Sequence, residues 1–178
     1  TEYLRMNAAG ADTGNGGVAR IYESGTSGIT LGDLPGNFCI NVQSGANGGN
    51  GGTVDLRSQG TITVDPGCML MGPLGANGNG ANVTLFAGNQ GCGGNSGNLV
   101  FTGNLIADGV GTGNGGIINI GVHSANPFDI AVVGPNGVQG FISAKGGTTS
   151  GKGGEVYLKN WDRGGISMSK ATDILVTA

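Results

Sequence analysis

The chain has 178 residues, a formal net charge of −3 and 41 glycines, roughly three times the glycine share of ordinary domains. Its eight Lys and Arg residues are scattered without a basic stripe, so nucleic acid is not expected as a partner. No apolar run approaches the roughly 20 residues that span a bilayer, so membrane insertion is not expected either. Charged residues make up only 11%, which argues against a charge-rich disordered chain, and the length suits one domain.

The first segment, residues 1–12, lacks the glycine pattern of the rest and contains Tyr3, Leu4 and Met6. We predict that it is an N-terminal cap or an assembly arm. Residues 13–178 are predicted to form one all-β domain, a parallel β-helix (β-solenoid), because a short unit recurs along them. The coils of a solenoid bury their apolar side chains only by stacking on one another.

The recurring unit is a glycine-rich corner that leads directly into a β-prone segment. Gly14-Asn-Gly-Gly precedes Val18-Ala-Arg-Ile, and Gly111-Thr-Gly-Asn-Gly-Gly precedes Ile117-Ile-Asn-Ile. We expect a sharp reversal at each corner with residues at positive φ, which glycine enters freely and asparagine tolerates. The predicted corner glycines are Gly16, Gly17, Gly51, Gly52, Gly80, Gly97, Gly115, Gly116, Gly153 and Gly154.

After each corner, apolar side chains occupy alternate positions, which is the period of a strand. When the corners are aligned, these apolar positions fall in register from one segment to the next. We therefore predict that they form the core. The predicted core residues are Val54, Leu56, Val83, Leu85, Ile118, Ile120, Val156 and Leu158.

The spacing of the corners predicts the size of the solenoid. Corners that end at Ala81, Gly97 and Gly116 lie 16 and 19 residues apart. We expect coils of roughly 16–19 residues with at least two strands each, about nine or ten coils, and a rod some 45 Å long at roughly 4.8 Å per coil. The irregular region 122–138 is predicted to hold a protruding loop, and no stretch combines helical periodicity with capping signals.

Three cysteines, Cys39, Cys68 and Cys92, occur without a C-x-x-C spacing, and His123 is the single histidine. These residues are too few and too dispersed for a typical zinc site, so no metal is predicted. Two interpretations remain open for the cysteines. They are three small buried apolar residues, or one disulfide and one free thiol in a secreted protein.

Several glycine-rich stretches match ligand-binding motifs only in part. Gly111–Gly116 fits G-x-G-x-x-G and Gly146–Gly153 is close to a P-loop, but a strand follows each, where phosphate binding requires a helix N-terminus. Calcium-binding β-rolls need an aspartate where this chain has Thr53 or Asn98. No cofactor is therefore predicted.

No catalytic constellation is visible among the 11 dispersed Asp and Glu residues, so we do not expect an enzyme. Carboxylates could still meet across coils, as in β-helix enzymes that act on polysaccharides, and this alternative stays open. An ice-binding surface would need a regular threonine array, whereas Thr61 and Thr63 form a single pair.

Two stretches in the second half of the chain are the most regular. They are Leu105-Ile-Ala-Asp-Gly-Val-Gly-Thr-Gly-Asn-Gly-Gly-Ile-Ile-Asn-Ile and Ile142-Ser-Ala-Lys-Gly-Gly-Thr-Thr-Ser-Gly-Lys-Gly-Gly-Glu-Val-Tyr-Leu. Both resemble coils of the filamentous-haemagglutinin-type adhesins that bacteria secrete by a two-partner route. The resemblance is one of repeat style and covers most of residues 14–158. It implies a right-handed parallel β-helix that is exported as part of a long surface fibre.

We expect a non-enzymatic, extracellular structural protein, a subunit of a bacterial surface filament with an adhesive or matrix role. The expected partner is a second copy joined head to tail, with surface polysaccharide or a host-cell receptor as a further partner. The strand-prone end, residues 172–178, has no obvious polar cap and is expected to pair with a neighbour. Contacts between unlike ends do not close and so generate a filament. The alternatives are a fragment of a large secreted adhesin and a β-helix enzyme that binds or cleaves polysaccharide.

Overall fold

A computed structural model describes residues 5–32, 39–88 and 96–178, and the strands in these ranges pair in parallel. One short 3-10 turn, Ala171–Asp173, interrupts them. The strands are β1 (Met6–Asn7), β2 (Val18–Glu23), β3 (Ile29–Leu31), β4 (Ile40–Gln43), β5 (Thr53–Ser58), β6 (Ile62–Val64), β7 (Met69–Gly72), β8 (Asn82–Ala87), β9 (Leu99–Phe101), β10 (Leu105–Ile106), β11 (Ile117–Val122), β12 (Phe128–Ile130), β13 (Gly137–Val138), β14 (Ile142–Ser143), β15 (Glu155–Asn160), β16 (Ile166–Met168) and β17 (Ile174–Leu175).

The strands form a parallel β-solenoid of about four turns, as the fold class predicts. The first wall is a five-stranded sheet in the order β15-β11-β8-β5-β2. The second wall is a six-stranded sheet in the order β16-β12-β13-β9-β6-β3. The third wall is formed by β1 and by the strands that follow the second wall in each turn, and it consists of two three-stranded sheets, β1-β4-β7 and β10-β14-β17.

The predicted count of nine or ten coils is wrong, and with it the coil length and the 45 Å rod. Equivalent corner residues on successive turns are 29 to 38 residues apart, about twice the predicted coil. The reason is that glycine occurs at more than one corner of a turn. Most predicted corners lead into the first wall, but Gly97 lies between β8 and β9, on the way from the first wall to the second. In the sequence, two corners of one turn therefore look like the corners of two coils.

Inward-facing side chains of all three walls form the core. Six of the residues predicted for it, Val54, Leu56, Val83, Leu85, Ile118 and Ile120, are at most 1% exposed. Val156 and Leu158 are only half-buried, because no further strand of the first wall covers β15. The other walls contribute residues outside the predicted set, including Ile40, Ile62, Leu99, Leu105, Phe128 and Ile142.

The corner glycines are required for a different reason from the predicted one. None of the ten has positive φ; the described glycines that do, such as Gly49 and Gly111, lie elsewhere in the turns. Instead, a Cβ on Gly16 would collide with the carbonyl of Val42, and one on Gly115 with the carbonyl of Ala144. The corner brings the third wall so close to the start of the first wall that no side chain fits between them.

The region 122–138, predicted to protrude as a loop, instead adds a strand to the second wall. Both β12 and β13 pair within that sheet, although only six residues join them. The buried side chain of Asn136 supports this tight connection. Its Oδ1 accepts from the Leu99 amide at 3.0 Å, and its Nδ2 donates to the Asn126 and Pro127 carbonyls at 3.1 Å.

Two further features belong to the third wall. Met6–Asn7, in the segment predicted as a cap or arm, pairs with Ile40–Asn41 and so forms part of the solenoid. A disulfide joins Cys39 to Cys68 at the starts of β4 and β7, with Cα atoms 4.7 Å apart. Of the two interpretations of the cysteines, the disulfide therefore applies to this pair, whereas Cys92 lies outside the described residues. In the described ranges, no helix is long and apolar enough to cross a membrane.

Candidate functional site

Aromatic and charged side chains collect on the outer face of the first wall. The register places Tyr22 on β2, Arg57 on β5, Phe86 on β8 and Lys159 on β15 in one line across the sheet, with Gly121 on β11. The line runs along the solenoid axis, at the spacing of about 4.8 Å between strands. Gly121 has no side chain, and the indole of Trp161 lies against it and occupies the gap in the line. We call Tyr22, Arg57, Phe86, Trp161 and Lys159 the cation–aromatic row.

Neighbouring members of the row contact one another through ring faces and edges. The Arg57 guanidinium lies 5.8 Å from the Tyr22 ring centre and 5.0 Å from the Phe86 ring centre. Phe86 meets Trp161 edge to face at 5.8 Å between ring centres. The Lys159 ammonium lies 5.0 Å from the Trp161 ring centre. Each such cation–π contact contributes roughly 0.5–1 kcal/mol at an exposed site. The contacts between neighbouring members therefore help to hold the side chains of the row in place.

Gly121 creates the space that Trp161 occupies. A Cβ at this position would collide with the six-membered ring of the indole and lie 2.9 Å from a carbon of Phe86. Its φ is not in the left-handed region, so the reason for glycine here is room above the sheet rather than backbone conformation. His123 stacks on the indole at 6.1 Å between ring centres and 13° between planes. The single histidine thus supports the indole.

Asp55 anchors one end of the row. It is 8% exposed and accepts from the Tyr22 hydroxyl and from Arg57 Nε, both at 2.8 Å. The hydrogen bond to Asp55 raises the pKa of Tyr22 above its ordinary value, and it raises the pKa of Arg57 as well. At the other end, the hydrogen bond to Glu155 raises the pKa of Tyr157. Both phenols are therefore held protonated and fixed in direction.

Two hollows lie on this face, on either side of Phe86. One has a volume of about 320 Å³ and is bordered by Tyr22, Arg57 and Phe86. The other has a volume of about 540 Å³ and is bordered by Phe86, Tyr157 and Trp161. Both volumes fall within the range of about 300–1,000 Å³ that ligand pockets have.

A column of asparagines runs beside this face, one at each corner before the first wall. The Oδ1 of each accepts from the backbone amide of the equivalent residue in the next turn. These bonds run from Asn50 to Asn15, Asn79 to Asn50, and Asn114 to Asn79 at 2.8 Å, and from Lys152 to Asn114 at 2.9 Å. We call this the asparagine ladder. It ends at Lys152, because a lysine side chain has no acceptor.

The sequence motifs that suggested chemistry lie apart from the cation–aromatic row. Gly111–Gly116 forms the corner before β11, and its Asn114 is a member of the asparagine ladder. Asp162 accepts from the Arg163 amide in the turn before β16. Among the described residues, no three His, Cys, Asp or Glu side chains are grouped as a metal ion would require. No residue of the row was predicted from the sequence. A signal was present, because Tyr22, Arg57 and Phe86 each stand at the same distance after a corner.

Comparison with protein-family models, with curated proteins and with solved structures gave no match.

Proposed function

We propose that the protein is a non-enzymatic structural subunit that assembles head to tail into an extracellular filament with an adhesive or matrix role. The observation that carries the proposal is that the two edge strands of the first wall, β2 and β15, complement each other row by row when the register of the sheet is continued into a second copy. Edge strands expose unpaired backbone groups that readily template such pairing.

The inward rows supply apolar contact. Continuing the register places Val156 of one copy opposite Ala19 of the next, and Leu158 opposite Ile21. Val156, Leu158 and Ile21 are half-buried in the single chain, so the joint would remove their remaining apolar surface from water. In the second wall, Met168, which is 54% exposed, would lie in the row of Leu31.

The outward rows bring cations next to aromatic rings and to a carboxylate. The same register places Lys159 opposite Tyr22 and Tyr157 opposite Arg20, so that a cation meets an aromatic ring in both rows. Glu155 lies diagonally across the joint from Arg20, within reach of these long side chains. The cation–aromatic row would thus continue from copy to copy. A shifted register, or a joint between like ends, would not place these residues opposite one another. The match therefore favours contact between unlike ends.

The disulfide supports the extracellular part of the proposal. Disulfides persist in oxidising compartments and are rare in the cytosol of most organisms. The bond between Cys39 and Cys68 fits a protein that works outside the cell.

A charge swap across the joint tests the proposal. We expect the wild-type protein to form filaments in electron micrographs and to scatter light above a critical concentration. Arg20→Glu places two carboxylates across the joint and Glu155→Arg places two cations there, so each should raise the critical concentration by about fivefold. The double variant restores an opposite pair and should assemble like the wild type.

Val133→Glu is the control, because it adds a charge in the connection between β12 and β13, outside the edge strands, at a side chain that is 80% exposed. It should leave assembly unchanged. Monodisperse short rods of the wild type at high concentration would overturn the proposal, as would filaments that are indifferent to both single substitutions. The first result would favour the alternative, in which further coils of a longer adhesin cover these edges.

A further inference from the structure

The centre of the first wall carries aromatic surface that assembly does not use. Phe86 lies on β8, the middle strand of five, two strands away from either joint. Phe86 and Trp161 are half-buried there, and Tyr22 and Tyr157 flank them nearer to the joints, so four of the nine Phe, Tyr and Trp residues lie on this one face. Clustered apolar surface of this kind marks binding sites on soluble proteins.

The charges on the face argue against a polyelectrolyte as the ligand. Arg20, Arg57 and Lys159 stand on the outward side of the described strands with Asp55 and Glu155, so positive and negative charges nearly balance. Arg57 is already paired with Asp55 at 2.8 Å. Nucleic acids require a strongly positive groove beside their stacking rings, and this face has none. A neutral ligand fits better.

The shape of the face argues for a linear ligand. The cation–aromatic row spans five strands, or about 19 Å along the solenoid axis. Three aromatic rings lie along it together with the hydrogen-bonding groups of Arg57 and Lys159, and a hollow lies on each side of Phe86. A chain of sugar rings has the matching chemistry. Its C–H faces carry partial positive charge and pack on the negative faces of aromatic rings, while its hydroxyls reach the neighbouring polar side chains.

We propose that the cation–aromatic row binds a neutral polysaccharide chain that lies along the solenoid axis. Phe86 and Trp161 hold sugar rings at the centre of the site, and Asp55 and Arg57 bond to hydroxyl groups at one end. The site deepens the adhesive role proposed above by giving it a ligand class. In a filament, successive copies would repeat the site along one surface.

The lone tryptophan makes the proposal directly measurable. Because Trp161 is the only tryptophan in the chain, intrinsic fluorescence reports on this site alone. We expect soluble neutral glucan and xylan oligosaccharides to change Trp161 emission in a saturable way, with affinity that rises with chain length and then levels off. Polygalacturonate and single-stranded polyuridylate, as polyanions, should bind more weakly. Tighter binding of either polyanion, or no response to any neutral oligosaccharide, would overturn the proposal.

Two substitutions test the residues. Phe86→Ala should weaken binding about three- to tenfold, the usual worth of one aromatic contact. Gly121→Ala should displace the indole, shift the emission of the free protein and weaken binding similarly, although no aromatic group has been removed. Leu74→Ala, at a residue that is 53% exposed in the turn after β7, is the matched control and should bind like the wild type. Unchanged affinity in Phe86→Ala and Gly121→Ala would contradict the proposal.

Binding and assembly can fail separately. Phe86 lies two strands from either joint, so Phe86→Ala should form filaments normally while losing affinity for saccharide. Conversely, Arg20→Glu should bind saccharide as a monomer. If the protein forms filaments but binds no saccharide, only the proposal about the ligand fails. If it binds saccharide but forms no filaments, only the proposal about assembly fails.

Discussion

A single asparagine at each corner ties one turn of the solenoid to the next. Its amide is short enough to stay at the corner and offers an acceptor to the backbone amide above it. Asn50 and Asn79 both donate their own backbone amide to one neighbour and accept from the other. The backbone groups at a bend, where the walls leave them unpaired, are thereby satisfied by a side chain.

Removing one member of the asparagine ladder should destabilise the fold measurably. Asn79→Ala leaves the Asn114 amide without its acceptor, so we expect the free energy of unfolding to fall by about 1–2 kcal/mol. Asn82→Ala, three residues on at an exposed position on β8, should change it by less than about 0.5 kcal/mol. Urea denaturation followed by circular dichroism measures both. Equal effects of the two substitutions would mean that the asparagine ladder carries no stability.

For single residues, the sequence pattern identifies which side chains face the core. It does not show which side chains contact one another on the outer surface. Alternation identifies Val54, Leu56 and their equivalents, because burial depends on the strand period alone. The contact of Trp161 with Gly121 depends on the distance between two strands, and no spacing along the chain encodes it. The recurrence of the corner glycines is visible in the sequence. Their cause, close approach to the third wall, becomes visible only once that wall is in place.

The three walls differ in how well their strands are held together. First-wall strands are six residues long, whereas third-wall strands have two to four residues and form two separate sheets. Fewer ladder hydrogen bonds therefore connect successive turns in the third wall. The disulfide between Cys39 and Cys68 lies there and adds a covalent link to β4 and β7, which pair over four residues where first-wall neighbours pair over six.

Loss of this disulfide should lower stability noticeably. It closes a loop of 29 residues, for which chain entropy gives a contribution of about 3.6 kcal/mol. We expect dithiothreitol to reduce the free energy of unfolding by roughly 2–4 kcal/mol, as read from urea denaturation. The double variant Cys39→Ala with Cys68→Ala should show the same loss and no further response to reductant. If reductant left the wild type unaffected, the bond would have no stabilising role.

The strands of the first wall are predictable from the sequence because a glycine corner marks the start of each. The number of turns is not, because spacing alone cannot distinguish a corner that closes a turn from one within it. Gly97 and Gly116 look alike in the sequence but lead into different walls. The strands β12 and β13 were missed for a similar reason, since prolines and glycines around them indicate a loop.

The whole molecule has unlike ends, and Lys152 marks where the asparagine ladder stops. In a filament, the backbone amide of Asn15 in the next copy would approach the Lys152 position and find no side-chain acceptor there. If copies stack as proposed, the joint between them would therefore lack a hydrogen bond that connects successive turns within one copy. This difference would allow subunits to exchange while each remains folded.

Lys152→Asn should extend the asparagine ladder across the joint. One added hydrogen bond corresponds to a critical concentration about two- to tenfold lower, measured by light scattering. Lys152→Ala removes the charge without adding an acceptor and serves as the control. The side chain is exposed, so neither substitution should alter the fold. If the two variants assembled equally well, the ladder would not cross the joint.

The extra strand of the second wall has a consequence for curvature. The second wall has six strands and the first wall has five. Measured along the solenoid axis, the second wall is therefore taller by one strand spacing, about 4.8 Å. The subunit is then a wedge, taller along the second wall than along the first, and its two ends are inclined to each other. Copies stacked end on end accumulate that inclination as a steady bend or a coil, with the second wall on the outside and the row containing Phe86 turned toward the inside.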